Sequence, residues 1–531
     1  MSKSGSDRKH TLAEIAVPAI ATLGDLPTVH GARTPDRVAM LYEGRETTYG
    51  LLDRKSNQVA QALRAEGLRP GERIAYLDRN SDSFFVVLFG AAKAGVTLVP
   101  VNFRLAPAEV AFILEDCQAR LLFAGIEYQD TLRVATEQAG GLKTIWIDGS
   151  GEDSLDAWIS GRADTPLEYV GPGPRDTAVQ MYTSGTTGLP KGVELSHFAM
   201  IRAAVEGLSV WPAMFREDAA VLATMPLFHI AACNLGIAGL YAGGRAEIVR
   251  GGTPLEIIQL IADHKITITP LPAALIHDII RLPEVHGLDL SHLDTLLIAG
   301  SGIPVELLRE AQQTLHCGFA LSYGMTECCG GLTYLGPEDC THDAGDKLKS
   351  AGRAFGSSRI RIAGPDGKDL PTGEIGEILC QSDRVMSGYW HREEASREAL
   401  RDGWYHSGDA GYLDAQGYLY VVDRIKDMVV SGGENIYPVE VENALMAHPA
   451  IGDIAVIGVP EEKWGESLLA CLVLKPGVAC PPDAELIDFL RPRLAGYKIP
   501  RRYTVLKAFP RNATGKVLKH QMRAEFAAPV E

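Results

Sequence analysis

The sequence predicts an α/β fold with a β-barrel part and a small α+β C-terminal domain, and three observations carry that expectation. Short apolar runs alternate with amphipathic segments up to about residue 300, the pattern of mainly parallel strands with helices on both faces. Near residue 360 the runs shorten and turns such as Pro365-Asp366-Gly367 and Ala415-Gln416-Gly417 separate them, which implies an antiparallel or barrel-like part. Beyond residues 423–427 the pattern becomes that of a small α+β domain, so the boundary is placed in this charged segment and read as a hinge.

In chain order, residues 73–77 read as a strand, and Ser81 as the cap of a helix whose apolar positions run from Phe84 to Ala92. Residues 97–101, 178–182, 220–225, 246–249, 266–269 and 295–299 read as further strands, several separated by helical patterns. Residues 359–362, 376–379, 411–413 and 418–422 are the short strands of the barrel-like part. Pro438 opens a helix through Met446, because a first helical turn does not use the missing N–H. Strands at 454–459 and 468–474 and a helix at 484–494 complete the order, and no internal repeat interrupts it.

Composition narrows the function. The 531 residues include 51 Lys+Arg and 67 Asp+Glu, a net charge of 51 − 67 = −16, which argues against a general nucleic-acid binder. Nine scattered cysteines show neither a disulfide framework nor a CxxC metal site and read as reduced thiols. The charged N-terminus lacks an apolar core, and the apolar stretch from Phe84 to Val101 is broken by Lys93 and glycines. No signal peptide or transmembrane segment is expected, and a cytoplasmic location is.

Several motifs carry chemistry. Tyr182 opens the run Thr183-Ser184-Gly185-Thr186-Thr187-Gly188-Leu189-Pro190-Lys191-Gly192, which follows a strand. Its glycines permit tight turns, its hydroxyls and backbone N–H groups suit a phosphate cradle, and Lys191 adds charge. Pro190 stands where the second glycine of a Walker A loop belongs, so it is not that loop. Gly300-Ser301-Gly302 begins like a dinucleotide fingerprint, but Val305 occupies the third glycine position. A strand end closing over a flat ligand and a plain strand-to-helix turn both fit it.

Tyr323-Gly324-Met325-Thr326-Glu327 offers a ring for stacking, a hydroxyl for a phosphate oxygen and a carboxylate for Mg²⁺. Tyr405-His406-Ser407-Gly408-Asp409 sets a carboxylate after a glycine turn, suited to a ribose diol. Residues 501–523 hold seven cations and no acid, with Lys516 at the end of Asn512-Ala513-Thr514-Gly515-Lys516. In an acidic chain this segment reads as a solvated basic face, as an RNA-binding patch or, more sharply, as the source of a lysine aimed at an anionic transition state.

Together these motifs resemble the adenylate-forming superfamily of acyl-CoA synthetases, peptide-synthetase adenylation domains and beetle luciferases, over nearly the whole chain and in the family's order. The resemblance implies a large N-terminal domain of two α/β subdomains and a barrel (1–423), a hinge (424–427) and a small mobile C-terminal domain (428–531). It implies a phosphate loop at 183–191, an adenine site at Gly300, Ser301, Gly302 and Tyr323, an α-phosphate contact at Thr326 and Mg²⁺ at Glu327. Asp409 and Arg424 would hold ribose, Lys426 would be the hinge position, and Lys516 would serve adenylation. Ser431, Gly432 and Gly433 would meet the pantetheine of coenzyme A.

The implied reaction joins a small-molecule carboxylic acid to ATP, releasing pyrophosphate, and then passes the acyl group from AMP to coenzyme A. A carrier protein is the alternative acceptor, and a catalytically dead nucleotide-binding scaffold is a remote alternative to both. No nucleic-acid partner is expected, and a homodimer is among the open assembly states. His229 stands where amino-acid-activating relatives usually carry an Asp, which argues against an amino-acid substrate. The implied acyl pocket is His229, Asn234, Ala299, Gly324, Cys328, Gly330 and Gly331, with Ile230, Ala231, Ser301, Ala320 and Cys329 beside them. Small linings leave room for a medium- or long-chain fatty acid, or a bulky aryl or polycyclic acid.

Overall fold

A computed structural model describes residues 17, 19–138, 141–149, 151–168, 171–183, 189–299, 303–431, 434–461, 465–511 and 517–526. The chain divides into two compact units, residues 1–360 with 380–405 and residues 361–379 with 406–531.

The first unit contains two seven-stranded sheets. One runs, edge to edge, Gly318–Leu321, Thr295–Ala299, Ile268–Pro272, Ala220–Ala223, Arg245–Ile248, Val38–Tyr42 and Arg45–Thr48. Its first six strands are parallel, and Arg45–Thr48 returns antiparallel at the edge. The other runs Gly388–Tyr389, Lys191–Ser196, Thr177–Thr183, Thr97–Pro100, Arg73–Leu77, Ala119–Ala124 and Thr144–Trp146. Its last five strands are parallel, and Lys191–Ser196 and Gly388–Tyr389 are antiparallel additions.

Local chemistry explains the connecting helices. Thr48 caps the Tyr49–Ala65 helix by accepting from Leu51 N–H at 3.2 Å, and Ser196 caps His197–Val210 by accepting from Ala199 N–H. Thr253 and Glu256 close a capping box on Pro254–Asp263. The apolar stretch after Ser81 is a helix, Ser83–Ala94, buried on all sides and ended by Gly95 at φ 70°. Its N-terminal neighbour is Asp82 rather than Ser81, whose hydroxyl lies 2.8 Å from that of Tyr76. Asp82 makes no cap bond either, because Arg45 engages both its carboxylate oxygens. No helix of the described residues is long and apolar enough to cross a membrane.

In the second unit, residues 409–413 of the Trp404–Leu413 strand pair antiparallel with Leu419–Arg424, setting Asp409 opposite Arg424. A further sheet runs Glu434–Ile436, Val429–Ser431, Gly465–Leu474 and Ile451–Glu461, with Arg502–Val505 parallel to Gly465–Leu474. The Pro438–Met446 and Asp483–Leu490 helices close one core over this sheet, around Val441, Leu445, Val456 and Leu486. The latter helix stops short of residue 494 because Pro492 has no N–H to continue the ladder.

One buried group of the first unit has a pH consequence. His197 is 2% exposed, its Nδ1 accepts from Leu23 N–H at 3.3 Å, and burial lowers its pKa to about 4. A folded-state value below the unfolded 6.5 means that the unfolded chain binds the proton first as pH falls. The stabilisation is complete above pH 6.5 and is lost as pH drops towards 4. At pH 5 the loss from His197 is about 2 kcal/mol. Urea unfolding at pH 7, 6 and 5 should show a falling midpoint, with a shallower fall in His197→Asn.

Candidate active site

The phosphate-loop sequence joins two antiparallel strands. Thr183, the last residue of one, is paired with Lys191, the first of the next. Ser184, Gly185, Thr186, Thr187 and Gly188 lie outside the described residues. Tyr182 anchors the hairpin from behind: its hydroxyl donates to Asp116 Oδ2 at 2.6 Å, while Arg392 reaches Asp116 Oδ1 at 2.6 Å. The Lys191 ammonium stands 5.0 Å from the centre of the Tyr389 ring.

Glu327 faces this hairpin. The Gly318–Leu321 strand leads through Tyr323 to a single turn at Thr326–Cys328, and the chain returns so that Gly330–Gly331 pairs with Gly324–Met325. Glu327 Oε1 accepts from Thr183 Oγ1 at 3.2 Å and from the Tyr389 hydroxyl at 3.1 Å. Its backbone carbonyl accepts from Met386 N–H at 2.8 Å. Among the described residues no hydrogen bond reaches Oε2, and no three His, Cys, Asp or Glu side chains gather as a metal cage. One carboxylate with an open oxygen fits an ion that takes most of its other ligands from phosphate and water, as Mg²⁺ does.

Tyr389 and Tyr405 are parts of this site that sequence reasoning missed. Burial first, and then the Glu327 carboxylate beside them, push both phenols well above the usual tyrosine range, so both are protonated donors. Tyr389 arrives on a two-residue edge strand, 62 residues from Glu327, and nothing in its local sequence marks the meeting. Tyr323 is held by its backbone, its N–H donating to Thr333 Oγ1 and its carbonyl accepting from Leu332 N–H. Thr326 accepts from Cys329 N–H through its carbonyl, which closes the turn.

The structure brings residues 328–331 of the implied acyl pocket against the Ile230–Tyr241 helix. Asn234 Nδ2 donates to the Cys329 carbonyl at 2.8 Å. Gly330 has φ 103°, and a Cβ there would stand 2.9 Å from Asn234 Nδ2. A Cβ on Gly324 would lie 2.1 Å from the Gly330 carbonyl oxygen, so backbone meets backbone where a side chain would otherwise be. Cys328 and Cys329 point to different neighbours: Cys329 Sγ is 3.4 Å from Met200 Sδ, whereas Cys328 is fully buried beside Cys380. His229 directly precedes the helix with its ring 4.3 Å from that of Phe228. Burial, and then the charge of Arg104, lower the His229 pKa to about 4, so the ring is neutral near pH 7. Ala320 is buried on its strand, while Gly300, Ser301, Gly302 and the side chain of Ala299 lie outside the described residues.

In the second unit, Asp409 is 5% exposed, and Arg424 Nε reaches its Oδ1 at 2.6 Å across the strand pair. Asp409 N–H donates to Ser407 Oγ, whose hydroxyl donates to the Ile378 carbonyl at 2.6 Å. The two predicted ribose groups therefore meet on one hairpin. Lys426 sits in the turn Ile425–Asp427, where burial lowers its pKa against the pull of Asp427, and Arg523 pairs with Asp427. Ser431 ends its strand, while Gly432, Gly433 and Lys516 lie outside the described residues.

Comparison with known proteins gives the family. Residues 28–390 match the AMP-binding enzyme model, and residues 440–516 match the AMP-binding enzyme C-terminal domain. A fatty acid–acyl-carrier-protein ligase of Streptomyces coeruleorubidus is 38% identical over 96% of this chain and 97% of its own length. A feruloyl-CoA synthase of an Amycolatopsis species is 39% identical over 95% of this chain and 99% of its own. The o-succinylbenzoate CoA synthetase of Bacillus subtilis, solved with its acyl-adenylate intermediate, superposes with a TM-score of 0.82 at 32% identity, covering 94% of this chain and 97% of that one. With the motifs in order and both family models matched, the chain belongs to the AMP-binding, adenylate-forming enzymes and is an AMP-forming acid–thiol ligase.

Proposed function

We propose that this ligase activates a hydrophobic carboxylic acid, a medium- or long-chain fatty acid or a bulky aryl or polycyclic acid, and transfers it to coenzyme A. The observation that carries the proposal is Glu327, fixed through one oxygen by Thr183 and Tyr389, with no hydrogen bond to its other oxygen among the described residues and with Lys191 over the Tyr389 ring. In the first half-reaction a carboxylate oxygen of the acid attacks the α-phosphorus of ATP, and the bond to pyrophosphate breaks. In the second, the thiol of coenzyme A attacks the acyl carbon, loses its proton, and AMP leaves.

Both reactants of the first step are anions, so the residues act by placing positive charge and excluding freedom of motion. Lys191 and the loop 183–188 hold phosphate oxygens, Thr326 meets the α-phosphate, and Tyr323 stacks on adenine beside Gly300, Ser301 and Gly302. Asp409, oriented by Arg424, accepts the ribose hydroxyls. Mg²⁺ held by Glu327 would offset phosphate charge. Lys516 supplies charge for adenylation, and a turn of the C-terminal domain about Lys426 exchanges it for Ser431, Gly432 and Gly433 at the pantetheine. His229, neutral and half-buried, and the small glycine and cysteine residues of the Gly324–Gly331 hairpin offer an apolar acid room without a counter-charge of their own.

A carrier-protein acceptor is the second reading, favoured by the Streptomyces coeruleorubidus relative. Pyrophosphate release should be measured with ATP and Mg²⁺ over fatty, aryl and polycyclic acids, each with coenzyme A, with a carrier protein and with neither. Acid-dependent release with coenzyme A consumed is the expected result. Thioester formed only on the carrier protein would move the proposal to the second reading, and release favouring short polar acids would overturn the substrate class.

A further inference from the structure

Behind the Glu327 turn the first unit buries a charge pair that the proposed reaction does not use. Glu206, on the His197–Val210 helix, is 0% exposed, and Arg384 is 1% exposed. Arg384 Nε stands 2.7 Å from Glu206 Oε2, outside hydrogen-bond geometry, so charge rather than direction joins them. The remaining bonds go to the loop before residue 360. Ser357 N–H donates to Glu206 Oε1 at 3.0 Å, and Arg384 Nη2 donates to Ser358 Oγ at 2.9 Å. Arg202 closes the other side, 2.8 Å from Glu206 Oε1. The loop wraps so closely that a Cβ on Gly356, at φ 60°, would lie 2.3 Å from Glu206 Oε2.

Such a pair is costly to bury and is seldom retained for stability alone, since apolar replacements of similar volume are often as stable. Its neighbours give it a task. Arg384 lies two residues before Met386, whose N–H holds the Glu327 carbonyl. Its charge also reaches the thiols of Cys328 and Cys329, the residues that follow Glu327. Tyr389, the donor to the Glu327 carboxylate, comes three residues after Met386 on the same short segment.

We propose that Glu206 and Arg384 are positioning residues that set the segment from Arg384 to Tyr389 against the Thr326–Cys329 turn and so aim the Glu327 carboxylate. The pair acts through backbone, by fixing where Met386 N–H and the Tyr389 hydroxyl meet Glu327. The inference rests on the reading of Glu327 as the metal-holding carboxylate.

The test uses the full chain and the variant Glu206→Gln/Arg384→Met, which removes both charges and keeps an acceptor for Ser357 N–H and Arg202. Amide hydrogen exchange over residues 384–389 should quicken by about tenfold or more, as expected when a supporting contact is lost. Mn²⁺ affinity, read by electron paramagnetic resonance with a non-hydrolysable ATP analogue present, should weaken by about tenfold, the usual effect of removing a group that orients a metal ligand. The thermal midpoint should stay near that of the parent. A folded double variant with parental exchange and parental Mn²⁺ affinity overturns the proposal. Should the double variant not fold, Ser358→Ala removes only the outer bond and should move both readouts in the same direction by a smaller factor, while no movement there overturns it. Glu327→Gln separates the two ideas. Parental Mn²⁺ affinity in that variant overturns the metal-holding reading, and the exchange result still decides whether the pair positions the segment.

Discussion

Replacing Glu327 by Gln should slow acid-dependent pyrophosphate release by about a hundredfold or more while leaving the fold intact. The amide keeps an acceptor for Thr183 and for Tyr389, so the hairpin and the edge strand stay in place. What disappears is the negative charge, and with it the proposed hold on a divalent cation at the phosphates. The Mg²⁺ concentration giving half-maximal ATP–pyrophosphate exchange should rise, and excess Mg²⁺ should recover part of the rate. A variant that stayed within threefold of the parent at every Mg²⁺ concentration would remove Glu327 from the mechanism.

The second large effect belongs to Lys516. Two anions must approach before the first bond forms, and a unit charge about 4 Å away at a protein-like dielectric contributes about 4 kcal/mol. Lys516→Ala should therefore reduce acyl-AMP formation by about a thousandfold. Thioester formation from supplied acyl-AMP should stay within about threefold of the parent, because that step breaks the bond to an AMP already made. Single-turnover measurement of each half-reaction decides the matter, and equal loss in both would contradict the division of labour.

Much of the fold is legible where apolar runs have polar borders. The strands Arg73–Leu77 and Thr295–Ala299 and the helix Pro438–Met446 lie at the residues the pattern marks. Boundaries slip where a run serves two elements. The strand-like run 266–269 does not all form one strand: Ile266 N–H bonds back to the Ile261 carbonyl, Lys265 turns at φ 51°, and the strand begins at Ile268. Ser81 looks like a cap until Tyr76 takes its hydroxyl.

The candidate site divides in the same way. Glu327, Thr183 and Lys191 stand out because each belongs to a compact motif, and the meeting of Asp409 with Arg424 follows from one hairpin. Tyr389, Arg384 and Glu206 have no such local mark, and Tyr405 stands in a motif read only for its Asp409. They matter through contacts that only the folded chain makes, between segments many residues apart.

The glycine hairpin opposite Asn234 bears on how this enzyme acquires new substrates. With Gly324 closed against the Gly330 carbonyl and Gly330 held at a φ that side chains resist, that wall is made of main chain. A bulky residue at Gly330 would distort the loop behind Glu327 as well as narrow the proposed pocket, so substrate preference and chemistry would fail together. In the proposed pocket, variation that retunes one without the other falls on the facing helix at Ile230 and Ala231, since Asn234 itself holds the Cys329 carbonyl of that loop. A directed-evolution library restricted to that helix should therefore yield altered acid preference at near-parental turnover, whereas one aimed at the glycines should yield mostly inactive protein.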